Sequence, residues 1–371
     1  MDILEKIKNY RTTCYNWKER LQSTEQDSQY HQEGNVWIHT MLVVENLLNC
    51  SDYKALNTNE KKVLLFASIL HDIAKPFCTK IDNGKIVSPH HAVKGEIEAR
   101  KLIYRYDFMK ELLGSLDFKE REQVCSLVRY HGLPILFLEK MDTHQSVIKA
   151  ALEIPAKYLY ILAKADIKGR VSKSNDRNLQ LIELYKDYCL ENNCFNNLYS
   201  FQSPSSKIMY FKKGDSYLHY VPFEENSSKV YVMSGIPASG KDTYIKNNFF
   251  NQNVISLDNI REEMGVDPAK NQGIVVQEAR KRAKKLLAAK ENFVWNSTNT
   301  TEKIRTQLIS LFLDYNAYVE LVYIETKYKE LINRNKERKR EVPQNVINKL
   351  VDCLQVPKPW EAHFVRYEIT N

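Results

Sequence analysis

Residues 67–76 read ASILHDIAKP, the end of an apolar helical run from Val63 to Leu70 that finishes in His71 beside Asp72, followed by Lys75 and Pro76. Burying such groups without partners costs several kcal/mol in rough terms, so the rest of the chain has to supply partners for them. The candidates are His39 in WIHT, His91 in PHHAVKG, His131 in RYHG and Asp166 in AKADIKG, each on a predicted helix or at its end. Imidazoles and carboxylates are ligands for borderline divalent metals, and a metal pair would compensate the charges at the end of that helix. One histidine alone is more often a satisfied core residue; six ligand-type residues point to a site. Lys75 reads either as a group that stabilises substrate charge or as a surface lysine before a helix-breaking proline.

Working outward, residues up to about 195 keep apolar residues every three or four positions and few glycines, the pattern of an all-α domain. Between Phe201 and Lys229 the texture becomes aromatic alternation, IMYF and YLHYV around KKGDS and closed by EENSSK, which predicts a strand hairpin and a loop. From Val230 the β-like runs YVMSG, NVISL, FVWNS and YVELVYIE alternate with helical stretches, the order expected of a parallel α/β sheet. The expected organisation is a helical domain over 1–198, a joining hairpin over 199–229 and an α/β domain over 230–371.

The second domain carries a phosphate signal. In GIPASGKDT, Gly235 and Gly240 bracket a loop between a β run and a helix, so that backbone N–H groups, Ser239 and Lys241 can surround nucleotide phosphates. Asp242 follows the lysine where Ser or Thr normally reaches magnesium, leaving Thr243 next in line. Asp258 in SLDNIREEMG is expected at the carboxyl end of a strand, where ligands bind in open α/β sheets. There it could accept a proton from an attacking hydroxyl, with Arg261 holding an acceptor phosphate; the alternative is a helix N-cap with a surface arginine. NRNKERKREVP supplies Arg334, Arg338 and Arg340 in a predicted helix after the last expected strand, placed to neutralise a transferred phosphoryl group.

The order GIPASGKDT, DNIR, WNSTN and RNKERKREVPQNVI resembles the 5′-hydroxyl polynucleotide kinases over residues 230–371. The resemblance implies a P-loop fold with a helical lid, ATP or another NTP with Mg2+, Lys241 on the phosphates, Asp258 as general base, Arg261 on the nucleic acid and the lid arginines Arg334 and Arg338 on ATP. Asn296 stands where relatives often show Asp, and Arg340 lies six rather than seven residues beyond Arg334. The histidine and aspartate set resembles the HD phosphohydrolase superfamily over residues 30–175. This implies one metal on His39, His71, Asp72 and Asp166 and a second on His91 and His131 with Asp72 bridging, His90 being the rival of His91. Two ions of manganese, cobalt, nickel or zinc would support attack on a phosphoryl group.

Together the halves resemble bifunctional bacterial RNA end-healing enzymes. The implied activities are removal of a 2′,3′-cyclic phosphate or 2′-phosphate and phosphorylation of a 5′-OH, on RNA or alternatively DNA ends, with a separate ligase acting afterwards. Two other readings stay open: an HD nucleotidase joined to a small-metabolite kinase, and an HD module that senses a nucleotide and regulates the kinase. A net charge of +8 favours a polyanionic partner only slightly. The seven cysteines form no CxxC pair, which suits reduced thiols. With no apolar run near the roughly 20 residues of a membrane span and a charged start, MDILEKIKNYR, the expected location is the cytoplasm.

Overall fold

A computed structural model describes residues 2–11, 16–213, 218–223, 227–267, 272–338 and 340–370. The chain divides into two units, Met1–Ser200 and Phe201–Asn371.

The first unit is helical, as its periodicity predicts. Five helices carry the residues of interest: Val36–Asn49, Thr58–Leu70, His91–Tyr106, Phe118–Tyr130 and Ala156–Gly169. Their starts follow local capping chemistry. Asn57 accepts from the Glu60 amide while the Glu60 carboxylate accepts from the Asn57 amide, both at 3.0 Å, and Asp117 with Glu120 forms the same reciprocal box. All of Val63 to Leu70 is buried, with each fully buried Leu or Ile worth roughly 2 kcal/mol. Gly169 lies so close to Val43 that a Cβ there would stand 2.9 Å from the Val43 backbone nitrogen, which is what lets helix Ala156–Gly169 pack directly on Val36–Asn49. Among the described residues this unit departs from all-α only in an antiparallel hairpin, β1 (Lys80–Asp82) and β2 (Lys85–Val87).

The second unit is built on a parallel sheet of β3 (Lys229–Ser234), β4 (Asn253–Ser256), β5 (Phe293–Asn296), β6 (Tyr318–Thr326) and β7 (Phe364–Thr370), in the order β4-β5-β3-β6-β7. Side chains alternate between its faces with period two. Val230, Val232, Phe293, Trp295, Val319 and Leu321 meet helices Gln272–Ala288 and Glu302–Asp314 on one face. Met233, Val294, Val322 and Ile324 meet Ile245 of helix Lys241–Asn248 on the other.

Three expectations change. The stretch read as a strand hairpin opens as helix, an α-turn at Pro204–Ile208 running into a wider turn at Met209–Lys213, and residues 218–223 form a turn and irregular chain with no strand. Its aromatics Phe201, Tyr210 and Phe211 pack on one another instead of alternating across a ladder. Residues 214–217, with most of KKGDS and the start of YLHYV, and 224–226 of EENSSK lie outside the described residues. The final strand is not YVELVYIE but β7, which follows the arginine-bearing helix and pairs with β6 from Glu320 to Thr326. That helix ends at Lys336, so Arg338 and Arg340 lie beyond it rather than within it.

Candidate functional site

In the helical unit the end of Thr58–Leu70 faces the partners its charges require. His71 caps that helix and His131 caps Phe118–Tyr130, while His91 opens helix His91–Tyr106. Each of these rings is aimed by its Nδ1: His71 onto the Ser68 carbonyl at 2.8 Å, His91 onto Ser88 at 2.7 Å and His131 onto Val128 at 2.9 Å. Such contacts fix the tautomer and turn Nε2 inward. His39 Nδ1 lies 3.0 Å from Glu33 Oε1.

The four Nε2 atoms converge on two carboxylates. His39 Nε2 is 3.1 Å from Asp166 Oδ1 and 3.7 Å from Asp72 Oδ2, and His71 Nε2 is 3.2 Å from Asp72 Oδ2. On the other side of Asp72, Oδ1 is 3.5 Å from His91 Nε2 and 3.9 Å from His131 Nε2. Asp72 thus stands between two groups, His39–His71 and His91–His131. His91, not His90, enters the cluster; His90 precedes the helix at a φ of 59°.

The cluster fits divalent ions on its own chemistry. His39 and His71 bring their Nε2 atoms within 3.3 Å, His91 and His131 within 3.4 Å. Each pair aims its ring nitrogens at one another with a carboxylate oxygen of Asp72 alongside, a donor set that a divalent cation can take up. Asp72 Oδ1 is buried without a hydrogen-bond partner among the described residues. Burial opposes ionisation of Asp72, but Lys75 and His71 outweigh it and hold the carboxyl well below the usual range. Burial, reinforced by His91, pushes the His131 imidazole down to about 3.

Lys75 is not a free surface lysine. Its Nζ lies 2.8 Å from Asp72 Oδ2 and donates to Gln26 Oε1 at 2.6 Å. Sequence reasoning missed two flanking residues. Arg170, the C-cap of helix Ala156–Gly169, clamps both oxygens of Asp166, at 3.0 and 2.6 Å, and the spacing of four residues could have signalled it. Glu33 accepts from His31 at 2.7 Å and from the Val171 amide at 2.9 Å besides facing His39, and no local motif marks it.

In the second unit a cavity of about 660 Å³ opens at the carboxyl ends of the strands, lined by Gly240, Lys241, Asp242, Thr243, Asp258, Arg261, Asn296, Arg334 and Arg338. The loop after β3 requires glycine at its start: Gly235 has φ 147°, and a Cβ there would stand 2.4 Å from the Ile324 carbonyl oxygen. Gly235 and Ser239 do not line the cavity; Gly235 offers its carbonyl to the Lys241 ammonium at 2.8 Å, Ile236 does so at 2.9 Å, and the Ser239 hydroxyl is buried. Burial pushes Lys241 down to about 8, with Asp242 opposing the shift and Arg338 adding to it.

Asp242 Oδ1 accepts from the Asn296 amide at 2.8 Å, so the unusual residue after the lysine and the unusual residue at the end of β5 meet at the cavity. Asp258 sits in the first turn of helix Leu257–Glu263, whose cap is Ser256, and its side chain is 79% exposed with Arg261 against it. It is therefore neither an N-cap nor a strand residue. Arg334 is held by Glu330 at 2.8 Å on the cavity wall, whereas Arg340 pairs with Glu262 and does not line the cavity.

Residues 36–166 match a family model described as an HD domain, and residues 230–357 match one described as an AAA domain. A crystal structure at 1.70 Å resolution from Chloroflexus aurantiacus j-10-fl, provisionally described as a kinase, is similar at 15% identity with a TM-score of 0.33, covering 39% of this chain and 90% of that chain. The chain thus joins a stretch similar to an HD domain to a stretch similar to an AAA domain. No described helix is long and apolar enough to cross a membrane.

Proposed function

We propose that this chain heals broken RNA ends, its HD domain hydrolysing 2′,3′-cyclic phosphate or 2′-phosphate termini and its kinase domain moving the ATP γ-phosphoryl group to a 5′-OH. The supporting observation is the acceptor side of the kinase cavity. The open carboxylate of Asp258, with Arg261 beside it, shares that cavity with Lys241, Arg334 and Arg338.

In the kinase step the 5′-oxygen attacks the γ-phosphorus, the bond to the β-phosphate oxygen breaks, and ADP leaves. Asp258 takes the hydroxyl proton. Arg261 turns from Asp258 to the phosphate next to the acceptor nucleotide, for which its fork geometry is suited. Lys241 exchanges its two loop carbonyls for phosphate oxygens. Arg334 and Arg338 offset the charge spreading over the transferred group. Asp242 and Thr243 present the oxygens that Mg2+ prefers, with Asn296 holding Asp242 in place.

In the HD domain, His39, His71, Asp72 and Asp166 would hold one ion, and His91 and His131 with the shared Asp72 a second. Two divalent ions, manganese, cobalt, nickel or zinc, supply Lewis acidity there when bound. Hydrolysis adds one water across the P–O bond to a ribose oxygen, opening the cyclic diester, and a further water releases inorganic phosphate. Lys75, already poised on Asp72, neutralises charge on the phosphoryl oxygens. Arg170 keeps Asp166 aimed at His39.

The test incubates the protein with ATP, magnesium, manganese and an RNA carrying a 5′-OH and a 2′,3′-cyclic phosphate, then maps both termini. A 5′-phosphate and a dephosphorylated 3′ end are expected. Turnover of mononucleotides or metabolites with no action on the oligonucleotide would sink the reading and favour a small-molecule enzyme.

A further inference from the structure

Away from the nucleotide cavity, a groove of about 630 Å³ runs along the seam between helices Gln272–Ala288 and Glu302–Asp314. Its wall from the first helix is Gln277, Arg280, Lys281, Lys284, Lys285 and Ala288, with Gln307 and Leu311 from the second. We propose that this groove is a second nucleic-acid contact of the kinase domain, a track for the phosphate backbone of a single strand whose 5′ end lies in the cavity. The inference rests on the reading of that domain as one acting on polynucleotide ends.

The spacing carries the argument. The first-helix residues fall at i, i+3, i+4, i+7, i+8 and i+11, one continuous face, while Val275, Ala279, Ala283 and Leu287 form the opposite buried stripe. Basic helices usually spread their charge around a solvated face with acidic partners between. Here the lining holds four cations and no carboxylate. The helix's Glu278 does not line the groove: it bonds to Arg282 at 3.0 Å, itself tied to Glu263 at 2.7 Å, and reaches Lys281 only at 3.9 Å. Arg280 Nε is buried with no hydrogen-bond partner among the described residues, a desolvated donor at the groove that an anion would satisfy.

The cations fall as two adjacent pairs, Arg280–Lys281 and Lys284–Lys285, four residues or about 6 Å apart along the axis, a rise comparable to the step between phosphates of an extended strand. The amides of Gln277 and Gln307 add neutral donors without sequence demands. The groove shares no lining residue with the cavity. An acidic protein segment would meet the same charges, but it has no use for the cavity. Nucleic acid joins both features.

The test uses the full chain and a labelled single-stranded RNA of about 20 nucleotides bearing a 5′-phosphate, which binds but cannot be phosphorylated. The triple variant Lys281→Ala, Lys284→Ala, Lys285→Ala is expected to bind it about tenfold more weakly, with a log–log salt slope shallower by about 2, three phosphate contacts at about 0.7 each. The corresponding triple Lys→Arg variant should retain both, and all three proteins should phosphorylate a 5′-OH trinucleotide equally. Unchanged RNA affinity and slope in the alanine variant overturns the inference while leaving the kinase reading intact. So does competition by polyglutamate as strong as that by RNA of equal charge. Loss of trinucleotide phosphorylation in the alanine variant also overturns it, because the groove would then not be distinct from the cavity. Failure of wild type on every 5′-OH oligonucleotide defeats the kinase reading itself.

Discussion

At the residue scale, Asp72 and Lys241 set the chemistry of the two sites. Asp72 is the carboxylate both histidine groups share, so Asp72→Asn should reduce phosphohydrolase activity to background and halve or worse the number of ions retained, measured by elemental analysis, with kinase activity unchanged. Glu33 acts one step further out, behind His39. Glu33→Gln should weaken metal affinity about 10- to 100-fold by calorimetry; unaltered affinity would mean that Glu33 merely packs. Lys241 predicts a pH dependence. Its folded pKa of about 8 lies below the 10.5 of a free lysine, so between these values the native state binds fewer protons than the unfolded one, and its contribution to stability grows as pH rises through that window. Nucleotide phosphates favour the ammonium form. ATP binding should therefore take up a proton at pH 8–9 and weaken as pH climbs, seen as a buffer-dependent calorimetric enthalpy that Lys241→Met removes.

At the scale of elements, the HD centre depends on two helices meeting backbone to backbone. The helix Val36–Asn49 brings His39 and Ala156–Gly169 brings Asp166, and their approach is set where Gly169 meets Val43. Gly169→Ala would push its methyl against backbone atoms that no rotamer change can move, so the helices must separate. The expected result is a stability loss of about 1–3 kcal/mol, read by denaturant melting, together with weaker metal binding, because His39 Nε2 and Asp166 Oδ1 part from their 3.1 Å separation. The ligand-type residues were legible in the sequence because each ends or begins a helix whose apolar pattern is strong, and a charge there has no other explanation. Arg170 was readable in principle from its helical spacing. Glu33 and Gln26 were not, since their partners lie in distant parts of the chain and nothing local distinguishes them from surface polar residues. In the second unit the strands with alternating or wholly apolar runs were legible. The strand Phe364–Thr370 was not, because at the sheet edge its side chains are mostly exposed or half-buried and FVRYEIT carries no core pattern. The aromatic segment after Phe201 misled for a related reason: aromatic residues favour strands, yet here Tyr210 and Phe211 pack on each other within a helical segment.

At the scale of the whole molecule, the proposed function places two phosphoryl-handling sites of different metal chemistry in separate units of one chain. The HD centre offers four imidazole nitrogens with two carboxylates, donors that suit borderline transition ions. The kinase cavity offers carboxylate, hydroxyl and, once ATP is bound, phosphate oxygens, the ligands of magnesium, which keeps much of its water. Stripping the full-length protein with a strong chelator and restoring ions one at a time should therefore separate the activities. Magnesium alone should return 5′-phosphorylation to its original rate and leave 3′-end hydrolysis near background. Manganese, cobalt, nickel or zinc at micromolar levels should restore hydrolysis in wild type, but not in His71→Ala. That variant should phosphorylate 5′ ends normally, just as Lys241→Ala should lose only phosphorylation. Recovery of both activities with magnesium alone would show that the imidazoles are not ligands and that the histidine cluster is held together by hydrogen bonds. A single substitution that silences both reactions would show instead that the two sites are coupled in a way their separate linings give no sign of.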